Sequence, residues 1–150
     1  MKLENILIRE MGRNEAEKAY LDIVETLSLE AKEEYAKGVR ERVTLGAMMG
    51  NVCVGIVSVE IPFPNNANLY WIGVQKKHLR QGVGTALLKS AVDLAARLGA
   101  SSITVGLLSP KEEEIGTLRP WLFFQKKGFL PLFENETVYL YKNIKDIICE

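Results

Sequence analysis

The sequence predicts an α/β protein: a mixed, mostly antiparallel sheet flanked by helices. Three observations carry this. Strand-like, β-rich runs crowd the first half, two of them joined by the tight pair Gly50-Asn51. One long amphipathic segment, Val83 to Leu98, has the period of a helix. That helix is entered from one strand-like run and left into another, which calls for a crossover and a parallel pair.

Taken in order, Leu3 to Arg9 alternates apolar and charged residues as a half-buried strand does. Asn14 is the expected N-cap of a first helix in which Tyr20, Leu21, Val24 and Leu27 recur at helical spacing. A second helix is expected from Leu29 to Lys37, stopped at Gly38. Val43 to Met49 and Val52 to Ile61 form the hairpin. The run Val52 to Val57 is apolar on both faces, as a central strand is, and Pro62 and Pro64 are expected to end it. Asn65-Asn66 turns the chain into a strand from Leu69 to Val74. In the long helix Val83, Leu87, Leu88, Ala91, Leu94, Ala95 and Leu98 make the apolar face, and Gly99 closes it. Ile103 to Leu108 is the crossover strand. Pro120 opens a short helix that Gly128 ends, and Phe129 to Phe133 and Thr137 to Tyr141 are the last two strands.

Composition narrows the function. The 150 residues suit one domain, 1–150, and 47% hydrophobic content supplies a core. Lysine and arginine together number 19 and so do aspartate and glutamate, which argues against a nucleic-acid binder. No run is apolar enough to span a membrane, and the N-terminus does not read as a secretory signal. Two cysteines, Cys53 and Cys149, and one histidine, His78, lack metal-ligand spacing. The expectation is a cytoplasmic protein with no metal.

The informative motif is Trp71-Ile72-Gly73-Val74, a loop, then Leu79-Arg80-Gln81-Gly82-Val83-Gly84-Thr85 opening the long helix. The N-terminus of a helix carries unpaired N–H groups and partial positive charge, and glycines let phosphate oxygens approach them. Arg80, Lys76 and Lys77 add cations. A dinucleotide fingerprint would need glycine at position 87, which is Leu87, and a P-loop would need Gly-Lys-Ser/Thr, where Gly84-Thr85-Ala86 stands.

With Phe123-Phe124-Gln125-Lys126-Lys127-Gly128-Phe129 near the end, and with the order of elements, the motif resembles the Gcn5-related N-acetyltransferase (GNAT) superfamily over nearly the whole chain. The resemblance implies the GNAT-like sheet with a splayed pair of parallel strands and acetyl-CoA as co-substrate. Backbone N–H groups of Leu79, Arg80, Gln81, Gly82, Val83 and Gly84 would cradle the pyrophosphate, with the Thr85 hydroxyl beside them. Ile72, Gly73 and Val74 would pair with the pantetheine arm, against which Phe124 would pack. An N–H near Val74 would stabilise the oxyanion. The acceptor would be an amine, on a small molecule or a protein, attacking the thioester directly.

Two residues depart from the family pattern. Leu79 stands where Arg or Gln is usual, and Phe124 stands where many members have a proton-donating Tyr. The catalytic candidates are Glu60 as base and Tyr70, Tyr139 and Tyr141 as acids. The acidic run Glu112-Glu113-Glu114 and Trp121 are candidates for the acceptor side. Ile144, Ile147 and Ile148 are candidates for a homodimer contact. The alternative is a non-catalytic acyl-CoA-binding or sensing module on the same fold, suggested by Phe124 and by the lack of an assigned base.

Overall fold

A computed structural model of the chain describes residues 6–24, 29–63, 65–108, 124, 126–133 and 137–143. The elements are β1 (Leu7–Glu10), α1 (Arg13–Ile23), α2 (Leu29–Arg40), β2 (Val43–Met49), β3 (Val52–Phe63), β4 (Asn66–Val74), α3 (Val83–Arg97), β5 (Ser102–Leu108), β6 (Leu130–Phe133) and β7 (Thr137–Asn143), with a 3-10 turn at Lys76–His78. The strands hydrogen-bond in the order β1-β2-β3-β4-β5-β7-β6. Pairing is antiparallel for β1–β2, β2–β3, β5–β7 and β6–β7, and parallel for β4–β5. The parallel register runs from Asn66↔Ser102 to Leu69↔Val105, so it takes up only the first four residues of β4. This is the mixed, mostly antiparallel sheet with one parallel pair that the sequence predicts.

By its contacts the chain separates into two compact units. The first is Met1–Glu60 with Tyr70–Leu94, and the second is Ile61–Leu69 with Ala95–Glu150. In the first unit α1 buries Ala16, Ala19, Tyr20 and Ile23, positions that fall on one helical face. They join Met11, Ala36, Val39 and Ile56 in one core cluster. In the second unit, side chains lace the parallel pair: Ser102 Oγ donates to Asn66 Oδ1 at 2.8 Å and Thr104 Oγ1 to Asn68 Oδ1 at 3.1 Å.

Several boundaries move from the sequence expectation. The N-cap of α1 is Gly12, not Asn14, because the Glu15 carboxylate accepts the Gly12 N–H at 3.3 Å and so fixes the first turn two residues earlier. α1 stops at Ile23, where Val24 turns extended. Gly38 does not stop α2 but lies inside it. β3 passes through Pro62 to Phe63. β4 starts at Asn66, three residues before the expected strand. The hairpin glycine Gly50 (φ 63°) and the helix-closing Gly99 (φ 94°) take the left-handed conformations their positions require. The expected helix from Pro120, Trp121, the acidic run Glu112-Glu113-Glu114 and the tail residues Ile144, Ile147, Ile148 and Cys149 lie outside the described residues. Of that helix, Phe124 and Lys126 are described and helical, and Gly128 (φ 90°) follows.

Candidate functional site

The glycine turn lies wholly in the first unit, at the end of β4. The Gln75 N–H donates to the Val54 carbonyl at 2.8 Å, which ties the residue just after β4 to β3. The chain then tightens: the His78 N–H reaches Gln75 O at 2.8 Å and the Leu79 N–H reaches Lys76 O at 3.3 Å. Arg80 follows with φ 62°, the one non-glycine residue with positive φ among those described, and Gly82 with φ 86°. The Gly82 carbonyl accepts the Ala86 N–H at 3.0 Å, so Gly82 caps α3. The N–H groups of Val83, Gly84 and Thr85 therefore belong to the first turn of a helix, with no carbonyl of that helix behind them. Left-handed residues alternating with ordinary ones turn successive N–H groups to one side, which makes a concavity for anions.

The charge of this segment matches its geometry. Between Glu60 and Asp93 the sequence has no acidic residue, while Lys76, Lys77, Arg80 and Lys89 all fall there. Lys76, Lys77, Arg80 and Thr85 are exposed, and Leu79, Gln81, Gly82 and Gly84 are half-buried. Val83 is buried, holding α3 on the core. His78 sits half-buried with Nδ1 at 3.4 Å from Gln81 Oε1, a contact inside the loop. Gln75 Oε1 is buried without a hydrogen-bond partner.

Along β4, Ile72, Gly73 and Val74 are half-buried. Gly73 has a local reason to be glycine. A Cβ there would lie 2.2 Å from the outer edge of the Trp71 indole, which folds along its own strand. Trp71 meets Tyr20 of α1 edge-on, with centroids 4.7 Å apart. Tyr20 is fully buried and its hydroxyl has no partner. Burial pushes its phenol up to about 12, helped by Tyr35 and Tyr70 nearby.

Two of the catalytic candidates, Glu60 on β3 and Tyr70 on β4, are brought together by a residue that sequence reasoning missed. Arg42 donates from Nε to Glu60 Oε2 at 2.7 Å and from Nη1 to the Gly38 carbonyl at 2.9 Å. Its guanidinium carbon lies 3.9 Å from the centre of the Tyr70 ring. Glu60 is thus a half-buried partner in an ion pair, not a solvated strand-end charge. Burial raises the Tyr70 phenol, against the opposing pull of Arg42. Nothing local in the sequence marks Arg42, because its charged and aromatic partners stand 18 and 28 positions away.

The remaining candidates belong to the second unit. Tyr139 and Tyr141 lie on β7, opposite Gly106 and Thr104 of β5. Phe124 is fully buried in the second unit, its ring 5.1 Å from that of Phe129. The Lys127 and Phe129 N–H groups both return to the Phe124 carbonyl at 3.1 Å, the bonding that a Gly-Phe helix ending provides. Cys53 is half-buried with its thiol directed at Gly55 O, 3.3 Å away, and burial raises the thiol. That is a packing cysteine rather than an activated nucleophile. Among the described residues no group of His, Cys, Asp and Glu is placed to hold a metal, and no helix is long and apolar enough to cross a membrane.

Residues 7–119, well over half of the chain, match the family model described as "Acetyltransferase (GNAT) family". A search of the curated proteins finds no match. Among solved structures, a GNAT-family protein from Desulfovibrio desulfuricans superposes with a TM-score of 0.77 at 14% identity, over 93% of this chain and 99% of that one. The aminoglycoside 6'-N-acetyltransferase from Enterococcus faecium gives 0.74 at 18% identity, over 92% and 97%. The PaiA N-acetyltransferase from Thermoplasma acidophilum, in complex with coenzyme A, gives 0.69 at 17% identity, over 92% and 98%. At these identities the likeness is one of fold.

Proposed function

Because the chain belongs to the GNAT acetyltransferase family, we propose that it is an N-acetyltransferase that moves an acetyl group from acetyl-CoA to an amine, working as a single domain over residues 1–150. The observation that carries this reading is the turn after β4. Left-handed Arg80 and Gly82 run into the first N–H groups of α3, in a stretch with four cations and no acid. A pyrophosphate needs those elements. The coenzyme A complex of the Thermoplasma acidophilum protein, on the same fold, supports the same ligand class.

The chemistry then follows from the ligand. The pyrophosphate sits on N–H groups between Leu79 and Gly84, with the Thr85 hydroxyl and Arg80 beside it. The pantetheine arm runs back along Ile72, Gly73 and Val74, pairing with the strand as an added strand would. The amine nitrogen attacks the thioester carbonyl, and a backbone N–H near Val74 stabilises the oxyanion. The carbon–sulfur bond breaks, CoA leaves as the thiolate, and the amine loses one proton. Glu60 is the first candidate to accept it, directly or through water. Its ion pair with Arg42 holds the carboxylate in place and also occupies one of its oxygens. That engagement, with Phe124 in place of a proton donor, favours the second reading, an acyl-CoA-binding module without turnover.

The test is calorimetric titration with acetyl-CoA, with ATP and NAD as controls and Gly82→Glu as the knock-out. Gly82→Glu puts a carboxylate and a strained φ where the pyrophosphate needs space. Its folding is checked by circular dichroism. Wild-type binding that is lost in a folded Gly82→Glu supports the site. No binding at millimolar acetyl-CoA refutes it. CoA release with an amine panel then separates the enzyme from the binding module.

A further inference from the structure

The end of β4 carries an aromatic wall. Positions 71 and 73 share one face of the strand, since side chains alternate. The Trp71 indole folds forward over Gly73: Cη2, Cζ3 and Cζ2 of its far ring occupy the space that a Cβ at position 73 would need. Behind the indole stands Tyr20 of α1, fully buried and edge-on, with ring centroids 4.7 Å apart. Trp71 packs there on the core cluster that also contains Met11, Ala16, Ala19 and Ile56. The indole cannot withdraw toward α1 without opening a packed core. It is half-buried, so part of it faces outward.

Two other sides of the same stretch are occupied. The Gln75 N–H donates to the Val54 carbonyl, and the Gly73 carbonyl lies beside Gly55, both on β3. Neighbouring residues of a strand aim their backbone groups at opposite edges. The N–H and C=O groups of Ile72 and Val74 therefore point away from β3, to the edge proposed for the pantetheine. Ile56 belongs to the Tyr20 cluster, and Gly55 beside it points to the opposite face, onto Val83 and Leu87 of α3. One face thus carries α3 and the other carries the indole. With the thioester held along Ile72 to Val74, acyl carbons that extend beyond it meet the level at which the far ring of Trp71 lies.

We propose that the Trp71 indole is the acyl-length stop of this site: it admits an acetyl group on the thioester and turns away butyryl and longer chains. This rests on the acetyltransferase reading and adds to it the residue that sets the acyl group. Gly73 lets the indole lie forward, and Tyr20 keeps it there. A ring fixed between a backbone and a packed core does not yield to extra methylenes without strain.

The experiment is calorimetry of CoA, acetyl-CoA and butyryl-CoA on the full chain, each thioester's affinity being taken relative to that of CoA, which has no acyl group. Wild type is expected to bind butyryl-CoA at least about tenfold more weakly than acetyl-CoA. Trp71→Ala removes the stop and is expected to bring the two thioesters within about threefold of each other. Trp71→Phe keeps a ring against Tyr20 but lacks the far ring over Gly73. It is expected to narrow the gap in the same direction, and it provides the answer if Trp71→Ala does not fold. A tryptophan with only a structural role would weaken all three ligands alike and leave the ratio where it was. Equal binding of acetyl-CoA and butyryl-CoA by wild type, or a ratio that neither variant moves, overturns the proposal and leaves the coenzyme site standing. No binding of CoA or of either thioester by the folded wild type refutes the acetyltransferase reading, and the stop with it.

Discussion

Replacing Gly38 by alanine in α2 tests the packing that joins Tyr70, Arg42 and Glu60. By helix propensity alone the change stabilises, because glycine inside a helix costs about 1 kcal/mol relative to alanine. The structure predicts the opposite sign. A Cβ on Gly38 would lie 2.0 Å from the Tyr70 hydroxyl and 2.4 Å from the ring carbon that bears it, so the ring must leave. It then gives up the Arg42 stack, worth about 0.5–1 kcal/mol, and the contact with Tyr35, worth about as much. It also loses part of its buried area, worth about 1 kcal/mol at 25 cal/mol per Å². The total, about 2–3 kcal/mol, outweighs the propensity gain and leaves Gly38→Ala destabilised by about 1–2 kcal/mol. Urea unfolding followed by circular dichroism measures it. In a Tyr70→Ala background the obstruction is gone and Gly38→Ala should stabilise by about 1 kcal/mol, a coupling of about 2–3 kcal/mol between the two sites. If Gly38→Ala stabilises the wild-type chain by the full propensity amount, Tyr70 does not rest on α2 and the cluster described here is wrong.

Other consequences follow from single observations. Arg80→Gly relieves a left-handed arginine and should raise stability by about 0.5–1 kcal/mol, once the greater chain entropy of glycine is subtracted. It should also weaken acetyl-CoA by a few-fold, and a lower melting temperature would show that Arg80 is not strained. Tyr20→Phe removes a buried hydroxyl without a partner and should stabilise the protein by about 1 kcal/mol at pH 7. The folded Tyr20 phenol is raised to about 12 from an ordinary value of 10.0, so its contribution is complete below pH 10 and lost as pH climbs through 12. Unfolding free energy should therefore fall by about 2–3 kcal/mol over that window in wild type and less steeply in Tyr20→Phe. Equal slopes would refute the assignment. Cys53, raised by burial, should alkylate with iodoacetamide at pH 8 far more slowly than a free thiol, measured in a Cys149→Ser background.

Much of this protein is determined by short-range pattern. The β-rich runs Val43 to Met49 and Val52 to Val57, the Gly50-Asn51 turn, the apolar stripe of α3 and its Gly99 closure are each written within a few residues, because strand propensity, turn sterics and helix period are local properties. The glycine turn proposed for the coenzyme is legible for the same reason. Its N–H groups are backbone atoms, so two glycines and a helix start suffice to locate it, whatever Leu79 contributes. Only tertiary structure decides what local rules contradict. Gly38 reads as a helix stop until Tyr70, 32 positions on, takes up the space a side chain would have filled. Glu60 reads as a candidate base with no partner in view until Arg42 meets it across the β2–β3 pair. In each case the deciding partner is distant in sequence, and side-chain contacts between distant residues follow from packing, which no period in the chain encodes.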